Sequence, residues 1–151
     1  MIKILFVCHG NICRSPMAEF VMKDLVEKAG LSNDFHIESA ATSTEELGNS
    51  VHRGTRIILT AKGISCEGKT ARQINRDDYG AFDYLIGMDD ENIRWMRYML
   101  EGDPDGKIHK LLEFAGSSRS IADPWYTGDF DATYRDVMEG CSALLRKVAG
   151  Q

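Results

Sequence analysis

The fold is decided near the start of the chain, by the stretch IKILFVCHGNICRSP at residues 2–16. Its first part, Ile2 to Val7, is apolar, β-branched and aromatic, which predicts a buried strand. A helix should begin near Ser15 and Pro16, because serine suits the N-cap and proline suits the first helical position. The helical pattern then continues until Gly30. The stretch therefore predicts a strand, a loop and a helix in succession.

Strand-like and helix-like segments alternate along the remainder of the 151 residues. Further strands are predicted at Phe35 to Ser39, Phe82 to Ile86 and Lys107 to Leu111. Further helices are predicted at His52 to Lys62, around Ile93, Met96 and Leu100, and in an apolar stripe from Phe130 to Val148 with Asp129 as N-cap. This alternation predicts an α/β fold with a parallel sheet, in one domain spanning residues 1–151.

Composition narrows the classes of function. The formal net charge is −5, which argues against nucleic acid or an anionic membrane as the main partner, since both favour basic surfaces. The N-terminal apolar stretch is too short for a secretory signal, and no stretch reaches the length of a membrane span. The four cysteines are then expected to be reduced thiols, in a cytoplasmic protein.

The residues between the first strand and the first helix have the chemistry of a phosphate site. A loop that feeds a helix N-terminus points backbone N–H groups at an anion. Cys8 supplies a sulfur nucleophile, since a helix N-terminus favours the thiolate form. Gly10 removes a side chain where the backbone approaches a ligand, and Arg14 offers a planar fork that matches two phosphoryl oxygens. This combination is suited to phosphoryl transfer to sulfur.

A proton donor for the leaving oxygen is expected far along the chain. Asp123 lies before Pro124, which stiffens the loop that carries the acid. Trp125 and Tyr126 follow, and an aromatic pair in a loop is suited to the rim of a pocket, with packing in the core as the alternative. Asp123 is therefore the candidate general acid.

Several segments together resemble the low-molecular-weight protein tyrosine phosphatase family. They are VCHGNICRSP at 7–16 followed by AE at 18–19, SAAT at 39–42, ARQ at 71–73, FDY at 82–84 leading to GMD at 87–89, and DPWY at 123–126. The resemblance covers essentially the whole chain, and the first and last of these segments are the most specific.

The resemblance implies a doubly wound sheet of four parallel strands in the order 2-1-3-4, with helices on both faces. It implies hydrolysis of protein phosphotyrosine through a cysteinyl phosphate, without metal or cofactor, by a monomer or weak dimer. The implied catalytic residues are Cys8, Arg14 and Asp123. The implied substrate-binding residues are His9, Gly10, Asn11, Ile12, Cys13, Ser15, Trp125 and Tyr126. Among them Asn11 is expected to support the loop from below, and Ser15 to stabilise the thiolate.

Other functions remain open on the same loop. Arginine phosphatases of this fold carry threonine at the position of Ile12, whose apolar wall favours an aromatic ring. Thioredoxin-coupled arsenate reductases need a relay pair of cysteines, and only Cys66 and Cys141 remain, the latter in the apolar stripe of the last helix. A catalytically silent phosphate-binding module is the remaining alternative. A zinc site is disfavoured, because Cys8 and Cys13 lack a second Cys/His pair.

Three features of the sequence bear on finer points. Cys13 either packs beneath the loop or forms a disulfide with Cys8, and the family resemblance favours the disulfide. Lys69 stands where many relatives have a histidine that helps to fix the loop asparagine. Glu45 and Glu46 replace an aromatic wall, which predicts an acidic mouth and a preference for basic residues beside the phosphotyrosine.

Overall fold

Four parallel strands form the centre of the fold. The computed structural model describes residues 1–150. The strands are β1 (Ile2–Cys8), β2 (Phe35–Ala41), β3 (Tyr84–Gly87) and β4 (Ile108–Lys110). They lie in the order β2-β1-β3-β4, and every pairing is parallel. The predicted order 2-1-3-4 is therefore confirmed.

The helices are α1 (Arg14–Lys28), α2 (Arg53–Ala61), α3 (Asp77–Ala81), α4 (Asp90–Met99), α5 (Pro124–Thr127) and α6 (Phe130–Ala149). Short 3-10 helices occur at Ser32–Asp34 and Leu111–Ala115. Of the predicted caps, Asp129 is confirmed, since its carboxylate accepts the Ala132 N–H at 2.9 Å. The sequence did not predict α3 and α5, because helices of five and four residues are too short to show an apolar period.

Helices cover both faces of the sheet, as expected for a doubly wound fold. Ile4 and Phe6 of β1 point to one face, where they pack in a core with residues of α1 and α6. Leu5 and Val7 point to the other face and pack with residues that include Met96 of α4. The alternation follows from the two-residue period of a strand. Along residues 1–150, no helix combines the length and the apolar character needed to cross a membrane.

The start of α1 differs from the prediction. The helix begins at Arg14, one residue before Ser15, and no side chain caps it. The expectation that Ser15 is the N-cap is therefore wrong, and Pro16 lies at the third helical position. Proline is tolerated there because the first helical N–H groups have no partner within the helix. The Ser15 hydroxyl is instead directed to the loop in front of the helix.

Candidate active site

The loop between β1 and α1 bends sharply at Asn11. This residue has φ 58°, a left-handed conformation that asparagine adopts more readily than most residues. Its amide nitrogen donates to Ser15 Oγ at 2.8 Å and to Ser39 Oγ at 2.9 Å. Its Oδ1 accepts the backbone N–H of Arg72 at 3.2 Å. The buried side chain thus fixes the loop by three hydrogen bonds.

Cys8 ends β1 with its sulfur at the start of α1. The Sγ atom lies 3.0 Å from Ser15 Oγ, and the Ser15 backbone N–H donates to it at 3.4 Å. Both groups can donate hydrogen bonds to a thiolate, and the positive end of the helix dipole lies beside it. Two hydrogen-bond donors and the start of α1 are thus placed to stabilise negative charge on the Cys8 sulfur.

Arg14 is almost completely buried beside the loop. Its Nη1 donates to Asp89 Oδ2 at 2.7 Å and to the Ile121 carbonyl at 2.9 Å. Burial opposes the charge, but the Cys8 thiolate and the Asp89 carboxylate outweigh it and raise the pKa of the Arg14 guanidinium above its usual range. The guanidinium is therefore a fixed positive charge at the site.

Asp123 comes to the same place from a remote part of the chain. It caps α5, since its Oδ1 accepts the Trp125 N–H at 3.0 Å. Its other oxygen, Oδ2, lies 3.4 Å from Arg14 Nη2, although the two residues are 109 positions apart. The loop predicted to carry the acid is therefore partly a short helix, which orients the carboxyl group.

These groups surround one cavity of about 330 Å³. The predicted site residues that line it are Cys8, His9, Gly10, Ile12, Cys13, Arg14, Asp123, Trp125 and Tyr126. The remaining two, Asn11 and Ser15, are buried and support the loop through the hydrogen bonds already described. Among residues 1–150, no group of three or more His, Cys, Asp or Glu side chains is arranged to hold a metal ion.

Gly10 lies on the wall of the cavity. A Cβ atom built there would lie 3.4 Å from the Glu46 side chain, which is ordinary contact. The packing of the protein itself therefore does not require glycine at this position. The sequence-based reason, close approach of a ligand to the backbone, stays a prediction.

The rim of the cavity is partly aromatic and partly acidic. Trp125 is 58% exposed and Tyr126 is 84% exposed, so the alternative that they pack in the core is wrong. Glu45 and Glu46 also line the cavity, and Glu45 Oε2 is 2.9 Å from His9 Nε2. The lining of the cavity therefore includes two exposed rings and two carboxylates.

The three other thiols differ from Cys8 in their surroundings. Burial, followed by the charges of Cys8 and Asp123, raises the pKa of the Cys13 thiol to about 12. Burial also raises the pKa of the Cys141 thiol, which lies in the core and donates to the Ala18 carbonyl. Cys66 lines a different cavity. The prediction that Cys141 is a core residue is confirmed.

Asp89 is a site residue that the sequence analysis missed. It caps α4, since its Oδ1 accepts the Asn92 N–H at 2.7 Å. Its second oxygen holds Arg14, and this contact joins residues that are 75 positions apart. The available signal was its place two residues after the end of β3, at the sheet edge where ligands bind.

Comparison with known proteins agrees with this geometry. A family model described as low molecular weight phosphotyrosine protein phosphatase matches residues 3–151. The chain belongs to this family. The low molecular weight protein-tyrosine-phosphatase YfkJ of Bacillus subtilis is 42% identical over 150 residues, which are 98% of this chain and 96% of the relative.

Solved structures of phosphatases have the same fold as this chain. The crystal structure of YfkJ superposes with a TM-score of 0.96 at 41% identity, over 99% of this chain and 96% of that one. The low molecular weight protein tyrosine phosphatase SP-PTP of Streptococcus pyogenes gives 0.88 at 45% identity, over 98% and 93%. The arginine phosphatase DARP of Drosophila gives 0.89 at 32% identity, over 97% and 98%. The solved structures with this fold thus include proteins named for each of the two substrate classes weighed from the sequence.

Proposed function

We propose that the protein hydrolyses phosphotyrosine in proteins through a cysteinyl phosphate on Cys8. The observation that carries this proposal is the meeting of Cys8, Arg14 and Asp123 around one cavity, from segments far apart in the chain. A nucleophile, a phosphate clamp and an acid are the groups that two-step phosphoryl transfer needs.

In the first step, the Cys8 thiolate attacks phosphorus opposite the ester oxygen. The S–P bond forms, the P–O bond to the tyrosine ring breaks, and the Asp123 carboxyl group gives its proton to the leaving phenolate oxygen. Asp89 and Ile121 hold Nη1 of Arg14, and one hydrogen of Nη2 faces Asp123 Oδ2. Nε and the second hydrogen of Nη2 are then the donors for two phosphoryl oxygens. The N–H groups at the start of α1 supply the remaining donors.

In the second step, water replaces the enzyme on phosphorus. The Asp123 carboxylate takes a proton from the water as the new P–O bond forms, and the S–P bond breaks to restore the Cys8 thiolate. Ser15 stabilises that thiolate through its hydroxyl, which lies 3.0 Å from the sulfur. Inorganic phosphate then leaves, and no metal or cofactor takes part in either step.

The apolar lining favours a phosphorylated ring as substrate. Ile12, a residue of the loop itself, lines the cavity, and Trp125 and Tyr126 stand at its rim, where they can flank a phenyl group. Reduction of arsenate is disfavoured, because Cys141 lies in the core and cannot serve as a relay thiol. Phosphoarginine stays the competing substrate, since a structural relative carries that activity in its name.

We further propose that the protein acts in the cytoplasm, as a monomer or weak dimer. A reducing compartment keeps Cys8 as a free thiol, which the reaction requires. The cavity of a single chain holds the nucleophile, the phosphate clamp and the acid that the proposed reaction needs.

The test is hydrolysis of p-nitrophenyl phosphate at mildly acidic pH, with EDTA and reductant, by the wild type, Cys8→Ser and Asp123→Ala. We expect Cys8→Ser to be inactive and Asp123→Ala to lose about 100- to 10,000-fold in kcat, the usual worth of a general acid. Phosphotyrosine and phosphoarginine peptides are then compared as substrates. A wild type without activity, or one that prefers phosphoarginine, would refute the proposal.

A further inference from the structure

Trp125, at the rim of the cavity, lies against the ring of His52. The centroids of the two rings are 5.8 Å apart, and their planes make an angle of 78°. The His52 ring also stacks on Phe130, with centroids 5.1 Å apart and an angle of 15°. Both separations are within the range of about 4.5–7 Å at which aromatic rings attract each other. The exposed indole is thus in contact with a pair of stacked rings that the proposed mechanism does not use.

The start of α2 holds the His52 ring in one orientation. Its Nδ1 accepts the Gly54 N–H at 3.0 Å, as the N-cap of the helix. Because a backbone N–H can only donate, Nδ1 carries no proton in this contact. The backbone N–H of His52 donates to the Ile12 carbonyl at 2.8 Å, which ties the residue to the phosphate loop. The position of the ring is therefore defined relative to the loop that would bind the phosphoryl group.

Phe130, the first residue of α6, supports the His52 ring in this stack. It packs against Ile12 and Cys13 of the phosphate loop. A Cβ atom built on Gly54 would clash with the Phe130 ring, so this close approach requires glycine at the start of α2. The stack is therefore a built feature of the junction between the loop, α2 and α6.

The exposure of Trp125 gives this support a purpose. The residue is 58% exposed, so most of its surface has no protein contact. An unsupported side chain would occupy several rotamers, and its ordering against a substrate ring would reduce the affinity. Contact with the fixed His52 ring restricts the indole before the substrate binds.

We propose that His52 is a positioning residue that determines specificity for an aromatic substrate, by holding Trp125 as a wall of the cavity. It acts through Trp125, since it does not itself line the cavity. The inference rests on the proposed function, because a wall for a ring contributes to binding only if the substrate carries one.

The experiment measures the inhibition constants of two phosphonates against hydrolysis of p-nitrophenyl phosphate. Benzylphosphonate carries a ring, and methylphosphonate has the same head group without one. His52→Asn removes the ring but keeps an acceptor for the Gly54 N–H, because asparagine is also an N-cap residue, whereas His52→Phe keeps a ring and loses the cap. His52→Ser, which also keeps a cap without a ring, replaces His52→Asn if that variant does not fold.

His109→Asn is the matched control. The ring of His109 also lies beside two aromatic rings, those of Tyr84 and Phe114, with centroids 5.9 and 5.2 Å away. It does not line the cavity. Unfolding in urea verifies that each variant is folded.

For His52→Asn we expect the inhibition constant of benzylphosphonate to rise about 3- to 10-fold, as the loss of an aromatic pair predicts. The constant of methylphosphonate should stay within about 2-fold of the wild type, because the phosphate loop is unchanged. His52→Phe should keep the wild-type ratio of the two constants, and His109→Asn should change neither. In a Trp125→Ala background, His52→Asn should have no further effect, because the contact that it removes is already lost.

A folded His52→Asn protein that binds benzylphosphonate as tightly as the wild type would overturn the inference. An equal rise of both inhibition constants would also overturn it, because that result indicates a general disturbance of the phosphate loop. A wild type that binds benzylphosphonate no more tightly than methylphosphonate has no wall for a ring. This last result would overturn the proposed function itself, and the inference with it.

Discussion

The link between Asp89 and Arg14 allows a quantitative prediction for Asp89→Asn. The carboxylate uses one oxygen to cap α4 and the other to hold the buried guanidinium, each at 2.7 Å. Asparagine has one oxygen and cannot accept both bonds, and its NH₂ group would face the donors of Arg14. The loss of one charge-assisted hydrogen bond costs about 2 kcal/mol, which corresponds to a fall of about 30-fold in kcat/KM if the whole cost appears in the transition state.

The assay is steady-state hydrolysis of p-nitrophenyl phosphate, with urea unfolding to verify that the variant is folded. Asp90→Asn is the matched control, because the neighbouring carboxylate is 80% exposed and pairs with Lys110 at 2.9 Å. Asp90 does not contact Arg14, and Lys110 keeps its contacts with the Ser118 carbonyl and the Ser120 hydroxyl. This control should therefore keep kcat/KM within about 2-fold of the wild type. If folded Asp89→Asn also stays within that range, Arg14 does not depend on Asp89 for its position, and the argument fails.

Three further predictions concern oxidation, specificity and packing. After brief treatment with peroxide, dithiothreitol should restore most of the activity of the wild type but little of the activity of Cys13→Ser. The reason is that the Cys13 thiol, which also lines the cavity, can trap the oxidised nucleophile as a disulfide. Equal recovery of the two proteins would exclude that pairing. Peptides with Lys beside the phosphotyrosine should be hydrolysed about 2- to 5-fold faster than peptides with Glu, because the Glu45 carboxylate lies at the mouth of the cavity. The variant Glu45→Lys should reverse this preference. Equal rates for the two kinds of peptide would refute the predicted preference for basic residues. Gly140→Ala should lower the free energy of unfolding, measured in urea, by about 1–3 kcal/mol, because the new Cβ atom would lie 2.5 Å from the side chain of the buried Leu111. Gly80→Ala is the control, because a Cβ atom there meets no other atom within 4 Å. Equal stability of the two variants would contradict the reasoning.

Local signals made much of the fold predictable. The parallel α/β class followed from the alternation of strand and helix patterns, and the long amphipathic helix α6 followed from its apolar stripe, with Asp129 as its cap. The strand order required the family resemblance, because periodicity says which residues are buried and not which strands are neighbours. The short helices α3 and α5 gave no periodic signal and were found only in the structure.

The sequence by itself determined the strand, the phosphate loop and the start of α1, because these residues are neighbours in the chain and their chemistry is local. Only the tertiary structure decided what holds that loop: Asp89 on Arg14, and the hydrogen bonds that join Asn11 to Ser39 and to the Arg72 N–H. It also decided that the aromatic pair near Asp123 is exposed at the rim. The physical reason is that these contacts join segments far apart in the chain, and only the packing of the helices on the sheet brings such segments within hydrogen-bond distance.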